Sequence, residues 1–432
     1  MFFPSVCPSV HRGVDAAMSL TEWPLPTGRM VLTTASAARY RVQELLDLGA
    51  RQNPRRPFVF VSKVLGKHWP CAPSTMRDVQ VALAAELGPE PAMFIGMAET
   101  ATGLGEGVYS AWCGLHGDTS GLYVATTRYP IEGAEALNFT EAHSHATALN
   151  MYLPAGEEAR RRLDSVSRLV LVDDEISTGK TFASLVDALR ARAGHVRHID
   201  VVALTDFSAG QVVERLRAVP GVERVRVHAL VSGSFDFTPS AGDVSSAAPA
   251  QREVSCRRSR MMAGTPRLGI IRPLRVPEAL VRDISVLLAG RAVRLIATGE
   301  CMYPAQCLGE QLEAQGCHVI LQSTTRSPLM LGGAIASVRQ VSDPYGEGVV
   351  NYIYNLSDAD VAESRRAEHD LPESGRAEQD GAARSSAAAL RLIVHETGDN
   401  PQIRQLCTEL SALAVDIGSG QLLSGPCGQA VA

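Results

Sequence analysis

The chain of 432 residues carries 41 Lys+Arg against 46 Asp+Glu, a formal net charge of -5, and is 45% hydrophobic, enough for two domains with buried cores. Dispersed basic residues and a slightly acidic balance exclude a nucleic-acid footprint as the main surface. No apolar run reaches the roughly 18–20 residues that span a bilayer, so no membrane partner is expected.

Residues 1–26 read as a flexible N-terminal tail, because the apolar opening is broken by Pro4 and Pro8 and has no basic start of the signal-peptide kind. A first domain is predicted over 27–237. Within it the apolar spacing predicts a helix over 40–48, a strand over 58–61, a loop holding Lys63 and Lys67, a helix over 79–87, and a strand over 92–97. A helix over 103–112, strands over 122–125 and 169–172, a helix over 182–193 and a strand over 199–204 complete it. Strands alternating with helices predict a parallel α/β sheet. A linker rich in Ser, Ala, Gly, Pro and Arg follows at 238–266. The second, smaller α/β domain occupies 267–432, with strands over 294–297, 318–322, 349–354 and 390–394 and helices over 304–315 and 402–415. The charged stretch 357–388, nearly free of large apolar residues, reads as a disordered insertion. Nine cysteines, odd in number and without a CxxC pair, indicate neither a disulfide framework nor a zinc ribbon, and a cytoplasmic location is expected.

Only three of the 41 basic residues are lysines: Lys63, Lys67 and Lys180. All fall in the first domain, where a compact, flexible ammonium is not exchangeable for a planar guanidinium. They are read as candidate phosphate contacts.

The most informative segment is LVLVDDEISTGKT at 169–181. A buried strand delivers Asp173 and Asp174, and a loop rich in hydroxyls and glycine then opens a helix. Free amides at the helix start, with the hydroxyls of Ser177, Thr178 and Thr181, suit a phosphate monoester. Gly179 lets the backbone approach it, with Lys180 alongside. Paired carboxylates accept hydrogen bonds from vicinal ribose hydroxyls. The segment is not a triphosphate P-loop: GxxxxGK[ST] requires glycine at the position held by Asp174, where a carboxylate would repel phosphate.

This segment resembles the 5-phosphoribosyl 1-diphosphate (PRPP) signature of type I phosphoribosyltransferases. The order SKVLGKH, AETATGLG, TTRYP, EAHSHAT and LVLVDDEISTGKT, followed by QSTTRSP at 322–328, is similar to the branch found in tellurite-resistance-associated gene clusters, whose second domain is named for a Thr-Arg-Ser-Pro (TRSP) motif. The resemblance implies a type I phosphoribosyltransferase-like parallel sheet with flanking helices, and transfer of a 5-phosphoribosyl group from PRPP to a base-like acceptor with release of diphosphate. A PRPP- or nucleotide-sensing regulator of the same fold is the alternative. Magnesium, bound mainly through PRPP, is the implied cofactor. A second copy of the chain and products of neighbouring stress-response genes are the implied partners, with no nucleic acid among them.

The diphosphate loop is then expected at Ala98, Glu99, Thr100, Ala101 and Thr102, where amides and hydroxyls form an anion nest; Glu99 orients magnesium-bound water or caps the helix. Arg128 is the candidate diphosphate clamp, and with Lys67, His143 and His145 makes up the candidate catalytic set. In the second domain, Glu300, Thr325, Arg326, Ser327 and Pro328 form the corresponding motif.

The two domains echo each other independently of that resemblance. Each shows a strand, a small residue, Glu, a helix, a strand and Thr-Thr-Arg-x-Pro, with 27 residues from Glu99 to Thr126 and 24 from Glu300 to Thr324. A degenerate copy of the diphosphate half-site, without the paired acids, is the expectation for the second domain, with Arg326 facing an anion of its own or the first domain's site.

Overall fold

The computed structural model describes residues 18–36, 40–53, 56–117, 120–140, 148–190, 192–240, 265–288, 290–356 and 389–423. The first unit begins with β1 (Met18–Leu25), β2 (Gly28–Ser36), α1 (Val42–Leu45), β3 (Leu46–Ala50), β4 (Phe58–Ser62), α2 (Pro73–Ala84), β5 (Met93–Gly96), α3 (Ala101–His116) and β6 (Leu122–Ala125). It continues with β7 (Ala136–Thr140), β8 (Ala148–Tyr152), α4 (Glu157–Ser165), β9 (Arg168–Ile176), α5 (Lys180–Arg190), β10 (His198–Asp206), α6 (Gln211–Arg217) and β11 (Arg224–Pro239).

The second unit opens with a 3-10 turn at Pro266–Leu268, then α7 (Glu278–Leu288), β12 (Val293–Ala297), α8 (Met302–Ala314), β13 (Val319–Ser323) and β14 (Met330–Gly333). It closes with β15 (Val338–Val341), β16 (Asn351–Tyr354), β17 (Leu390–His395), α9 (Pro401–Leu410), β18 (Leu413–Asp416) and β19 (Gln421–Leu423).

The larger sheet has the order β1-β2-β11-β10-β9-β5-β6, parallel from β11 to β6 and antiparallel at the β1–β2–β11 end. The smaller sheet runs β13-β12-β17-β18-β19, parallel except for β19. The central strands β5 and β12 are buried throughout and, Arg294 apart, apolar, as strands covered on two faces must be. On α5, Phe182, Leu185, Val186 and Leu189 are buried at the spacing that marks one helical face. A third sheet, β14-β3-β4, is shared: β14 of the second unit pairs with β3 of the first.

Several sequence expectations change. The tail gives way at Met18 to an edge strand, paired with β2 so that Trp23 lies opposite Met30; Pro24 is tolerated there because an outer strand has amides that need no partner. The helix over 40–48 shortens to one turn, and 46–50 extends instead, recruited by β4 and by β14 across the units. α2 begins at Pro73, a residue suited to the first helical turn. The closing helix stops at Leu410, where Ser411 turns left-handed, and the apolar residues beyond it pair with β17. The linker expectation for 238–266 meets β11 at its start and the 3-10 turn at its end; its middle, 241–264, and the insertion 357–388 lie outside the described residues.

Candidate functional site

β9 runs through Ile176, so Asp173, Asp174 and Glu175 belong to the strand, half-buried at the carboxyl end of the sheet. That end is where open α/β sheets bind ligands. Asp173 Oδ1 accepts the Asp174 N–H at 3.0 Å. Burial, then the Glu175 charge, push the Asp174 carboxyl up to about 6. Glu175 is in turn paired with Arg56, whose guanidinium lies 5.2 Å from the Phe58 ring and 5.8 Å from the Phe60 ring. Phe60 stacks on Phe207 at 4.9 Å. Arg56, Glu175 and this aromatic group were not anticipated from sequence; the one available signal was a third acid following the paired two.

Ser177, Thr178 and Gly179 connect β9 to α5, with Lys180 exposed at the first helical position and Thr181 half-buried behind it. Gly179 has φ +71°, and a Cβ there would meet Val212 Cγ2 at 2.7 Å and Val212 Cα at 2.8 Å. The glycine is therefore required by α6 as well as by any phosphate. Gly179→Ala is expected to cost about 2–4 kcal/mol from left-handed strain plus overpacking, read by urea denaturation. A cost below about 0.5 kcal/mol, the ordinary surface value, would show that α6 yields freely.

Ala98–Thr102 joins β5 to α3. The Ala98 N–H donates to Thr126 Oγ1 at 2.8 Å, and the Thr102 carbonyl accepts from the Tyr123 hydroxyl at 2.8 Å. Glu99, Thr100 and the backbone of Ala101 thus sit on a braced turn beside Arg128, whose charge acts on Glu99. Lys67 is a correction. Its side chain is 1% exposed, and its ammonium lies 2.5 Å from Glu99 Oε1 while donating to the Gly299 and Thr324 carbonyls at 3.0 and 3.3 Å. A desolvated ammonium needs such a full set of acceptors, so the Lys67 ammonium expected at phosphate is engaged between the units instead. Glu99 follows: burial alone would raise its carboxyl, but Lys67 outweighs this and holds it down to about 2, so the carboxylate stays ionised against the Lys67 ammonium. Lys63 is likewise occupied, donating to the Gln43 carbonyl at 2.9 Å. His143 and His145 lie outside the described residues.

The second-unit motif also lies between the units. Glu300 is buried and accepts the Thr127 hydroxyl at 2.6 Å, the Arg128 N–H at 3.1 Å and Arg267 Nε at 2.8 Å. Arg326 donates to Glu347 at 2.7 Å and lies 4.4 Å over the ring of Tyr129, which stacks on Tyr345 at 4.1 Å. Thr325 Oγ1 accepts the Ser327 N–H at 3.2 Å, and Pro328 follows half-buried. Sequence reading missed Arg267, Glu396 and Glu106, which line one cavity with Thr102, Tyr123 and Glu300. Burial, then the Glu396 charge, raise the Glu106 carboxyl to about 8. Because its folded value exceeds the unfolded one, stability is full below about pH 4.5 and falls as pH rises through about 8. Glu106→Gln is accordingly expected to show a stability advantage that grows between pH 5 and pH 8; an advantage independent of pH would contradict a titrating carboxyl.

Among the described residues no group of three or more His, Cys, Asp or Glu could hold a metal by itself, and no helix is long and apolar enough to cross a membrane. The carboxylates of Asp173 and Asp174 are hard oxygen donors of the kind magnesium takes one or two at a time, the rest coming from water and substrate phosphate.

Residues 45–234 match the family model described as phosphoribosyl transferase, and residues 274–369 match the TRSP domain found C-terminal to it. No curated protein matches the chain. Among solved structures, the adenine phosphoribosyltransferase of Trypanosoma brucei, in complex with AMP, pyrophosphate and ribose-5-phosphate, is 16% identical with a TM-score of 0.32, covering 49% of this chain and 86% of that one. The Rhodothermus marinus adenine phosphoribosyltransferase is 18% identical with a TM-score of 0.30, covering 44% and 94%. That of Leishmania tarentolae is 15% identical with a TM-score of 0.29, covering 44% and 85%.

Proposed function

We propose, from the premise that the chain carries a phosphoribosyl transferase domain followed by a TRSP domain, that it transfers the 5-phosphoribosyl group of PRPP to a nitrogenous, base-like acceptor. The observation that carries this reading is the acid pair at the end of β9 leading through Ser177–Gly179 directly into the start of α5. A sugar phosphate laid along that path meets carboxylates at its hydroxyls and free amides at its phosphate.

The acceptor nitrogen forms a bond to ribose C1 as the bond from C1 to the diphosphate oxygen breaks, the electron pair leaving with diphosphate. Asp173 and Asp174 hold the ribose hydroxyls, and the 177–181 segment holds the 5-phosphate. The 98–102 turn offers amides to the diphosphate, and Arg128 its guanidinium, so charge developing on the leaving group meets donors already in place. Magnesium, when bound, shields the diphosphate charge, with Asp173 and Asp174 as its available protein ligands. The cysteine pattern favours a cytoplasmic setting for this chemistry, and the sequence resemblance implies products of neighbouring stress-response genes as partners.

The test is diphosphate release from labelled PRPP by the full chain with magnesium, screened over purine, pyrimidine and related bases. Release with one acceptor class supports transfer. PRPP binding without release under any acceptor supports a sensor instead, and absence of PRPP binding sinks both.

A further inference from the structure

The echo between the units extends far beyond a shared motif. In the first, the Met97 N–H donates to Val172 O at 3.0 Å and the Thr126 N–H to Gly96 O at 2.9 Å; in the second, Thr298 donates to Val394 O at 3.1 Å and Thr324 to Ala297 O at 2.9 Å. The Ala98 N–H donates to Thr126 Oγ1 at 2.8 Å as Gly299 does to Thr324 Oγ1 at 3.0 Å. Thr127 and Asn150 exchange both backbone bonds, and so do Thr325 and Tyr352. Two residues further along each hairpin, the Tyr152 hydroxyl accepts the Ile131 N–H at 2.7 Å and donates to Tyr129 O, while the Tyr354 hydroxyl accepts the Leu329 N–H at 2.8 Å and donates to Ser327 O. The strand order β6-β5-β9-β10 is repeated as β13-β12-β17-β18.

The contacts between the units are reciprocal as well. Cys71 of the first unit bridges to Leu321 on β13, the edge of the second sheet, and Ile270 of the second bridges to Tyr123 on β6, the edge of the first. Each bridged residue lies three positions before the matching threonine. Behind each arm a cation reaches the matching glutamate: Lys67 to Glu99, and Arg267 to Glu300. Reciprocity of this kind is what a twofold axis imposes on an interface.

One end differs. With Val172 matched to Val394, the paired acids Asp173 and Asp174 become His395 and Glu396. Glu396 is already filled: Arg267 donates to it twice, at 2.9 and 2.8 Å, and the Tyr345 hydroxyl donates at 2.9 Å.

We propose that the C-terminal unit is a degenerate second copy of the transferase fold, joined to the first as an internal pseudo-dimer, which binds no PRPP of its own and serves as a built-in partner whose Glu300 positions Arg128. Glu300 fixes the Thr127 hydroxyl and the Arg128 N–H from the opposite unit, so the backbone that carries the Arg128 guanidinium past the 98–102 turn is set by the second copy. Arg267 closes the second copy's ribose end with the chain's own guanidinium. The ligand part of this inference rests on the PRPP reading above.

The experiment titrates the full chain, by calorimetry with magnesium, with PRPP, ribose 5-phosphate and inorganic diphosphate in turn, and follows amide exchange at 127–129. The wild type is expected to bind one PRPP per chain. Glu300→Gln keeps the size of the side chain and leaves Arg267 its two bonds to Glu396. It is expected to weaken diphosphate about tenfold, the scale of one charge-assisted hydrogen bond, to leave ribose 5-phosphate unchanged, and to speed exchange of the Arg128 amide. Thr127→Val, which removes only the hydroxyl, is expected to show the same split to a smaller degree and keeps the test open if Glu300→Gln fails to fold. Two PRPP per chain overturns the closed second site; equal losses for both ligands, or no change in either ligand or exchange, overturns the positioning role. If the wild type binds none of the three ligands, the transferase reading falls, and the exchange arm alone decides the contact: an Arg128 amide no faster in the variant overturns it.

Discussion

Replacing Asp174 by Asn is expected to raise the stability of the ligand-free chain at pH 8 while lowering PRPP affinity about 10- to 100-fold. Both effects come from one carboxylate. Burial, then Glu175, raise the Asp174 carboxyl from 3.8 to about 6, so the folded state holds its proton more tightly than the unfolded chain does. Its contribution to stability is therefore full below about pH 4 and is lost as pH rises through about 6, amounting to about 1–3 kcal/mol at pH 8. An amide carries no such cost. The same ionised oxygens are the ones that accept ribose hydroxyls, and charge-assisted bonds of that kind contribute about 1.5–3 kcal/mol. Urea denaturation at pH 4 and pH 8 reads the first effect, and PRPP titration across pH 5–8 reads the second: wild-type affinity should fall as pH drops through about 6, and the variant should be flat. A stability difference equal at both pH values, or unchanged affinity, would remove Asp174 from the site.

The acid pair, the 177–181 loop and most of the parallel strands were legible in the sequence because each is local. An apolar run, two acids, and a hydroxyl- and glycine-rich turn lie within thirteen consecutive residues, and the burial of both sheet faces writes itself as continuous hydrophobicity. What was not legible depends on residues far apart in the chain. Arg267 reaches Glu396 across 129 positions, and Lys67 reaches the Thr324 carbonyl across 257; neither contact leaves a periodic trace. The segment 412–415 is too short an apolar run for helix and strand to be told apart by spacing, and pairing with β17 decides it. Residues 46–50 became a strand for the same reason, with part of the pairing supplied by the second unit. The scarcity of lysine singled out Lys67 as a candidate phosphate contact. The ligands of that ammonium proved to be protein carbonyls and a carboxylate rather than phosphate.

Lys67→Met is expected to cost about 3–5 kcal/mol, the scale of breaking a buried ion pair by removing one partner, against less than about 0.5 kcal/mol for Arg161→Ala, an exposed pairing. The loss is large because the methionine leaves the half-buried Glu99 carboxylate without its cation, and leaves the Gly299 and Thr324 carbonyls to share the single Ser323 hydroxyl. Glu99→Gln in the same chain removes the uncompensated charge, so the double variant should recover most of the loss and retain about 1–2 kcal/mol for the two carbonyls. PRPP titration separates this account from the phosphate-contact reading. If Lys67 touched phosphate, neutralising Glu99 would restore stability without restoring affinity. If its work is to hold the 98–102 turn against the second unit, the double variant recovers both together. Additive losses in the two single variants would mean that Lys67 and Glu99 are not coupled at all, contrary to their 2.5 Å approach.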